Sequence, residues 1–385
     1  MSHTITIERS PLAIALGGMI AMAASIGIGR FVYTPILPPM VTELGLSQSA
    51  AGLIASANFA GYLAGALLAA SAGLPGSRRG WLLGALLASA GTTAAMGLTT
   101  ALFGFLVLRF AGGVASALGL ILASALVLDQ LAALRRPGLG ALHFAGVGVG
   151  IALSAAVVAV LLATGGGWAA MWQASGALSL LGVVAVAFLV PAGPNPAPAP
   201  RGSARGATDP RLRRMTIAYG LFGFGYVITA TFLVAIVRAT PAVRPLEPVI
   251  WIVVGLAAAP SILLWTRLAR RIGLSAAFAA AALTEAAGVL ASVAWQGIPG
   301  ICLAAVLVGG TFMGLTALGL MLGRELAQGD PRRVMAAMTS AFGVGQITGP
   351  ALAGVLSDAL GGFTVPSVAA AAALVIAAWL ARVRP

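Results

Sequence analysis

The sequence predicts an all-α integral membrane protein of twelve transmembrane helices, arranged as two six-helix bundles. Three observations carry this. The 385 residues are 60% hydrophobic and only 8% charged, whereas soluble domains are about 25% charged. Apolar stretches long enough to cross a bilayer, about 20 residues each, recur twelve times. The first half of the chain also recurs, weakly, in the second.

Taken in order, the spans are 12–34, 46–70, 81–98, 101–127, 139–164 and 168–190, then 215–237, 247–266, 274–295, 298–322, 334–357 and 363–382. The first has no charge from Pro11 to Gly29. Arg9, an apolar run and Ala21-Met22-Ala23 share the outline of a cleaved signal peptide, but the repeat needs this segment as a permanent helix. The boundary between 81–98 and 101–127 is the least marked. Helices alone fit these lengths, because a barrel strand is about 10 residues of alternating polarity.

Between the spans, arginine falls in alternate connections: Arg78-Arg79, Arg135-Arg136, Arg201 to Arg214, Arg267-Arg270-Arg271, Arg324-Arg332-Arg333 and Arg382-Arg384. The opposite connections hold only Arg238 and Arg244. With Arg9, this pattern places both termini and the central loop in the cytoplasm. The formal charge of +13 is therefore a topology signal, and no nucleic-acid partner is expected. The stretch "PAGPNPAPAPRGSARGATDPRLRR" (191–214) is too rich in Pro, Gly and Arg to bury a core. It reads as a cytoplasmic linker between an N-terminal bundle, 1–190, and a C-terminal bundle, 215–385.

Composition also excludes chemistry. All 22 basic residues are arginine, so no P-loop lysine and no lysine Schiff base is available. One cysteine, Cys302, permits no internal disulfide. His3 and His143 with that thiol make no zinc set. No catalytic residue, metal or cofactor is expected, and the chain is not read as an enzyme. A membrane-embedded enzyme would need His143, Glu285 and Cys302 to meet from three separate helices, with no recognisable spacing. A sensor or scaffold would carry a soluble domain in place of the linker.

The repeat rests on three matches. Ser116–Leu122 "SALGLIL" and Thr316–Leu322 "TALGLML" are offset by 200 residues, Gly146-Val147-Gly148 and Gly343-Val344-Gly345 by 197, and Gly27-Ile28-Gly29-Arg30 and Gly223-Phe224-Gly225-Tyr226 by 196. Six spans per half give both halves the same orientation, hence parallel repeats about an axis along the membrane normal.

The motifs "GIGRFVYTPILPPM" (Gly27–Met40), "GALHFAGVGVGIALS" (Gly140–Ser154) and "YGLFGFGYVITATFL" (Tyr219–Leu233) resemble those of bacterial major facilitator superfamily transporters, specifically the YbfB/YjiJ-type subgroup. The resemblance covers essentially the whole chain. It implies secondary transport in the bacterial inner membrane, a bilayer as environment, a small-molecule substrate and a monomer. Two departures stand out. "GLPGSRRG" (Gly73–Gly80) and "TRLARRIG" (Thr266–Gly273) lack the acid usual in these loops, which puts the superfamily's charge-relay gate in doubt. Arg109 and Gly113 keep an Arg-x-x-x-Gly pattern similar to the superfamily's fourth-helix motif.

Two arginines sit inside apolar spans. An arginine at mid-bilayer costs about 3 kcal/mol on insertion scales, so each is a functional candidate. The competing readings are snorkelling of Arg30 to the outer interface and backbone packing for Arg109. At ~1.5 Å rise per residue both fall in roughly the outer half of the bilayer. Glu43 lies beyond the outer end of the first helix and Asp129 at the cytoplasmic end of the fourth, so no acid shares their level. That leaves a positive pocket for an anion, which guanidinium holds by a bidentate fork. Tyr33 of the first motif and Tyr219, Phe222, Tyr226 and Thr229, on one face of the seventh helix, are expected to line it. His143 and Glu285 are candidates for proton coupling, since burial makes a carboxyl's charge costly and histidine titrates near neutrality.

The expected function is secondary active transport of a small organic anion, carboxylate-like, by alternating access and driven by protons. The alternative is efflux of amphipathic or hydrophobic compounds.

Overall fold

The structure, a computed structural model, describes residues 10–71, 75–192, 209–327 and 331–382. Arg9, His3, Gly73, Arg384 and the linker residues 193–208 lie outside them. The described residues form fourteen α-helices. They are α1 (Pro11–Met22), α2 (Tyr33–Leu44), α3 (Gln48–Ser71), α4 (Arg78–Ala95), α5 (Leu102–Ala133), α6 (Gly140–Ala163) and α7 (Trp168–Leu189) in the first half. The second half has α8 (Pro210–Ala239), α9 (Glu247–Ala258), α10 (Ser261–Ile272), α11 (Leu274–Ala294), α12 (Ile298–Glu325), α13 (Pro331–Leu360) and α14 (Thr364–Ala381). Eleven helical stretches are long and apolar enough to cross a bilayer. The twelfth expected span, 334–357, lies in α13, where Gln346, Thr348 and Pro350 lower the apolarity.

The first span differs most from its expected limits. α1, a π-helical segment Ala23–Ile28 and α2 form one 34-residue span, Pro11–Leu44, which ends ten residues beyond position 34. The prolines at 35, 38 and 39 suggest a helix end in sequence. Pro35 is tolerated because a membrane helix can accept proline where other donors satisfy the freed carbonyl. Pro35 cannot donate to Phe31 O. Trp251 Nε1 (3.1 Å) and Thr34 N (3.3 Å) do so instead. α2 stops at Gly45, whose φ of 64° lies in the left-handed region that favours glycine past a helix end. Arg30 is therefore near the middle of its span, not at its outer end. Glu43 is in the last turn of α2, where its Oε1 accepts from Trp168 N at 3.3 Å and caps α7.

Asp129 lies within α5, which runs on to Ala133, and pairs with Arg78 of α4 at 3.2 Å. Both partners are accessible, so the pair contributes at most about 1 kcal/mol. Arg79 donates to the carbonyls of Val190 (2.9 Å) and Ala187 at the end of α7, a basic cap for carbonyls without helical donors. This loop thus keeps basic anchors although its usual acid is missing.

The two halves meet through α3 against α13, α6 against α9 and α2 against α8. Glycine permits the closest approaches. A Cβ on Gly148 would fall on Ala259 N and Gly255 O, and one on Gly52 on Pro350 O. These contacts also correct the repeat register in the fifth span. Gly148 and Gly343 both face the opposite half, and Gly150 and Gly345 both touch the first span of their own half. The equivalent pairs are thus 195 residues apart, not 197. A Gly-x-Gly-x-Gly string matches itself after a two-residue shift, which is why the sequence alone misplaces it.

At the end farthest from the chain termini, Asp358 at the close of α13 accepts hydrogen bonds from Gln48 N (3.0 Å), Ser49 N (2.8 Å) and Ser49 Oγ (2.5 Å). One half therefore caps the N-terminus of α3 in the other.

Candidate functional site

The site grows from the break in the first span. At the break, Gly27 packs against α6, where an added Cβ would come within 2.6 Å of Gly150 Cα. Gly29 to Val32 form a turn between the π-helical segment and α2. Three successive carbonyls here receive side-chain donors. Arg109 of α5 donates to Gly29 O and Arg30 O, both at 3.1 Å, and Trp251 donates to Phe31 O. Asn58 Nδ2 fixes α5 beside this point by donating to Arg109 O at 2.9 Å. Arg109 is buried, with its guanidinium carbon 5.1 Å from the Tyr33 ring and 5.8 Å from Trp172. Its two Nη donors thus bind main chain, while its Nε has no partner.

Arg30 is arranged differently. It is only 6% exposed, and its Nη2 donates to Tyr226 OH at 3.3 Å, while Nε has no partner. The guanidinium carbon stands 4.5 Å from the Phe59 ring, 4.7 Å from Tyr62 and 5.4 Å from Phe31. Among the described residues the ion pairs are Arg78–Asp129 and Arg238–Glu247, neither of which involves Arg30. Cation–π contacts contribute up to about 2 kcal/mol each when desolvated. Burying an ion costs several kcal/mol. The cation is cushioned, but its charge is not neutralised.

The Arg30–Tyr226 contact spans 196 residues, as does the 2.7 Å bond from Thr34 Oγ1 to Ala230 O. This equals the repeat offset of the first and seventh spans. Equivalent positions of two related halves can touch only where the axis passes, so Arg30 and Tyr226 lie on it. The Tyr226 ring is parallel to Phe312 (1°) and Phe342 (4°), each centroid 5.8 Å away, and stacks on Phe222 at 5.1 Å. Its hydroxyl also bonds the Gln346 amide.

The remaining expected residues divide among three places. Tyr219 stacks on Phe342 at 4.8 Å and donates to Thr316 O at 3.2 Å, so it joins Phe222 and Tyr226. Thr229 is buried nearby on α8, with its hydroxyl unpartnered. Tyr33 belongs to the Arg109 side and donates to Ala51 O at 2.8 Å. Glu285 of α11 is fully buried with both carboxyl oxygens unpartnered. His143 is elsewhere, between Ser124 (3.1 Å from Nε2) and Gly18 of α1. A groove of about 480 Å³ between α4 and α5, lined by residues including Trp81, Ala88 and Ala111, touches none of these groups.

Sequence reasoning missed Phe59, Tyr62, Phe312, Phe342, Gln346 and Trp251. Gln346 carried a usable signal, a polar side chain inside an apolar span. The aromatic residues carried none, because pairing them requires the fold.

Residues 22–382 match a family model, MFS_4, described as "Uncharacterised MFS-type transporter YbfB". The chain belongs to this family. It is thus a major facilitator transporter, a multi-pass membrane protein and not an enzyme. No curated protein sequence matches it. Solved structures share its fold at low identity. A nucleoside transporter NupG variant aligns with a TM-score of 0.73 at 14% identity, covering 96% of this chain and 98% of the other. A bacterial homolog of the human lysosomal transporter Spinster, inward-facing and unoccupied, gives 0.72 at 16%, covering 96% and 95%. The human organic anion transporter MFSD10 (TETRAN) gives 0.67 at 16%, covering 97% and 100%. These likenesses establish the major facilitator fold expected from the repeats.

Proposed function

We propose that this transporter moves a small organic anion, carboxylate-like, and that Arg30 is its anchor. The observation that carries this is a buried guanidinium on the molecular axis with a free Nε, one weak neutral acceptor and no acid. An anion would supply the missing charge through two N–H bonds. Arg109 positions the site by holding the main chain of Arg30. The printed description of one structural relative, an organic anion transporter, agrees with this class of cargo but concerns that protein.

Both termini lie in the cytoplasm of a bacterium in this reading, on the arginine pattern. Closure of the Asp358–Ser49 contact then seals the outer end, and the halves rock about the axis through Arg30 and Tyr226. Protons drive the cycle. Glu285 is the better coupling group, because its fully buried carboxyl has no hydrogen-bond partner and gaining or losing a proton there changes an uncompensated charge. His143 is tied to Ser124 and packs against Gly18 of α1, away from these groups.

The test is uptake by proteoliposomes of radiolabelled sulfonates and carboxylates, with and without an inward proton gradient. Gradient-stimulated uptake of an anion that Arg30→Gln abolishes supports the proposal. Uptake of apolar cations, unchanged in that variant, would contradict it and favour efflux of amphipathic compounds.

A further inference from the structure

We infer that the cargo is an aromatic carboxylate, which takes the place that the Tyr226 side chain now holds. This rests on the reading of Arg30 as anion anchor and adds the shape of the molecule attached to the anion. Tyr226 is a phenol, and its surroundings show what the centre of the protein accepts. Its flat ring lies parallel to Phe312 and Phe342, at 1° and 4°. Its oxygen end meets a guanidinium, Arg30, and an amide, Gln346.

The fit at the oxygen end is incomplete. A phenol oxygen engages only Nη2 of Arg30, at 3.3 Å, and leaves the Arg30 Nε donor without a partner. A carboxylate has two oxygens and matches the two-pronged edge of guanidinium, Nε and Nη2 together. At the ring end, Phe312 and Phe342 present flat faces parallel to the Tyr226 ring, and Phe222 stacks on it at 29°. Offset-parallel packing favours a planar π-system over a puckered ring of equal volume. The cation faces nearby, Phe59 and Tyr62, hold Arg30 in position without neutralising it, so its charge stays available to the incoming acid.

The test is calorimetric titration of the full-length detergent-purified protein with benzoate and with cyclohexanecarboxylate. These have the same charge and nearly the same size, and only benzoate is flat. Wild type is expected to prefer benzoate by about tenfold, the effect of one good aromatic pair. Phe342→Leu keeps apolar bulk but removes a parallel face and is expected to erase that preference. Phe312→Leu serves the same purpose should the first variant fail to fold. Arg30→Gln is expected to abolish binding of both. Equal affinity of wild type for the two acids, lost in Arg30→Gln, would overturn the aromatic inference and leave the anion anchor standing. Binding of neither acid, or binding unaffected by Arg30→Gln, would overturn both.

Discussion

Arg109 donates to the carbonyls of Gly29 and Arg30, both at 3.1 Å, so one buried arginine holds the main chain that carries the other. The two cations are thereby given different tasks. Arg109→Lys keeps the charge but cannot fork across two carbonyls. Charge-assisted bonds contribute roughly 1.5–3 kcal/mol each, so a loss of roughly 2–4 kcal/mol in stability is expected. Arg30→Gln breaks one long bond to a neutral oxygen and three cation–π contacts, but it also removes a buried charge that nothing neutralises, so it should cost less. A thiol-reactive dye reading Cys302, the single cysteine, gives the two melting curves. Equal losses would contradict the division of roles.

Trp251 supplies the donor that Pro35 cannot. Trp251→Phe keeps the ring contact with Phe31, centroids 6.5 Å apart, and removes only the 3.1 Å bond to Phe31 O. A destabilisation of about 1 kcal/mol is expected, visible as a lower melting temperature. Because the same bond crosses between halves, transport should fall with it.

Asp358 makes the cap between halves sensitive to acid. Burial pushes its carboxyl up, but the bonds from Ser49 Oγ, Ser49 N and Gln48 N outweigh this and hold it below the usual aspartate value. A depressed value means the contribution is fully present above the unfolded value, about pH 4. It is lost as the pH falls through the folded value. Asp358→Ala should mimic the acid state. Losing a cap of about 0.5–2 kcal/mol raises the open population roughly 2- to 30-fold. Maleimide labelling of Ile36→Cys in a Cys302→Ala background, faster by that factor, is the readout. Unchanged labelling would show that Asp358 does not close this end.

Gly148 and Gly84 should respond oppositely to alanine. At Gly148 the new Cβ meets the backbone of α9, which cannot yield as a side chain would, and a loss of about 1–3 kcal/mol is expected. At Gly84 nothing lies within 4 Å, and the better helix former should stabilise by up to about 1 kcal/mol. Melting temperatures of the two variants decide the point.

Much of the fold was legible in composition, because a span of apolar residues has few alternatives to a membrane helix. The extent of the first span was not, since Pro35, Pro38 and Pro39 signal a helix end unless donors from α5 and α9 are known. The site was half legible. Arg30 and Arg109 stood out as charges in apolar spans, and Tyr226 through its alignment with Arg30. That Arg109 binds two carbonyls while Arg30 meets only a phenol oxygen depends on contacts 79 and 196 residues apart in the chain, which no local pattern encodes. Glu285 was visible as a lone acid, but that both its oxygens are buried without a partner was not.

The most direct measurement of the central claim is a thermal-shift titration of wild type and Arg30→Gln with benzoate and with tetraphenylphosphonium. A ligand at a hundredfold excess over its Kd stabilises the folded state by about 2.7 kcal/mol. Stabilisation of wild type by benzoate, absent in Arg30→Gln, with no effect of the cation on either, is the predicted result. Stabilisation by the cation in both proteins and by benzoate in neither would contradict an anion anchor at Arg30.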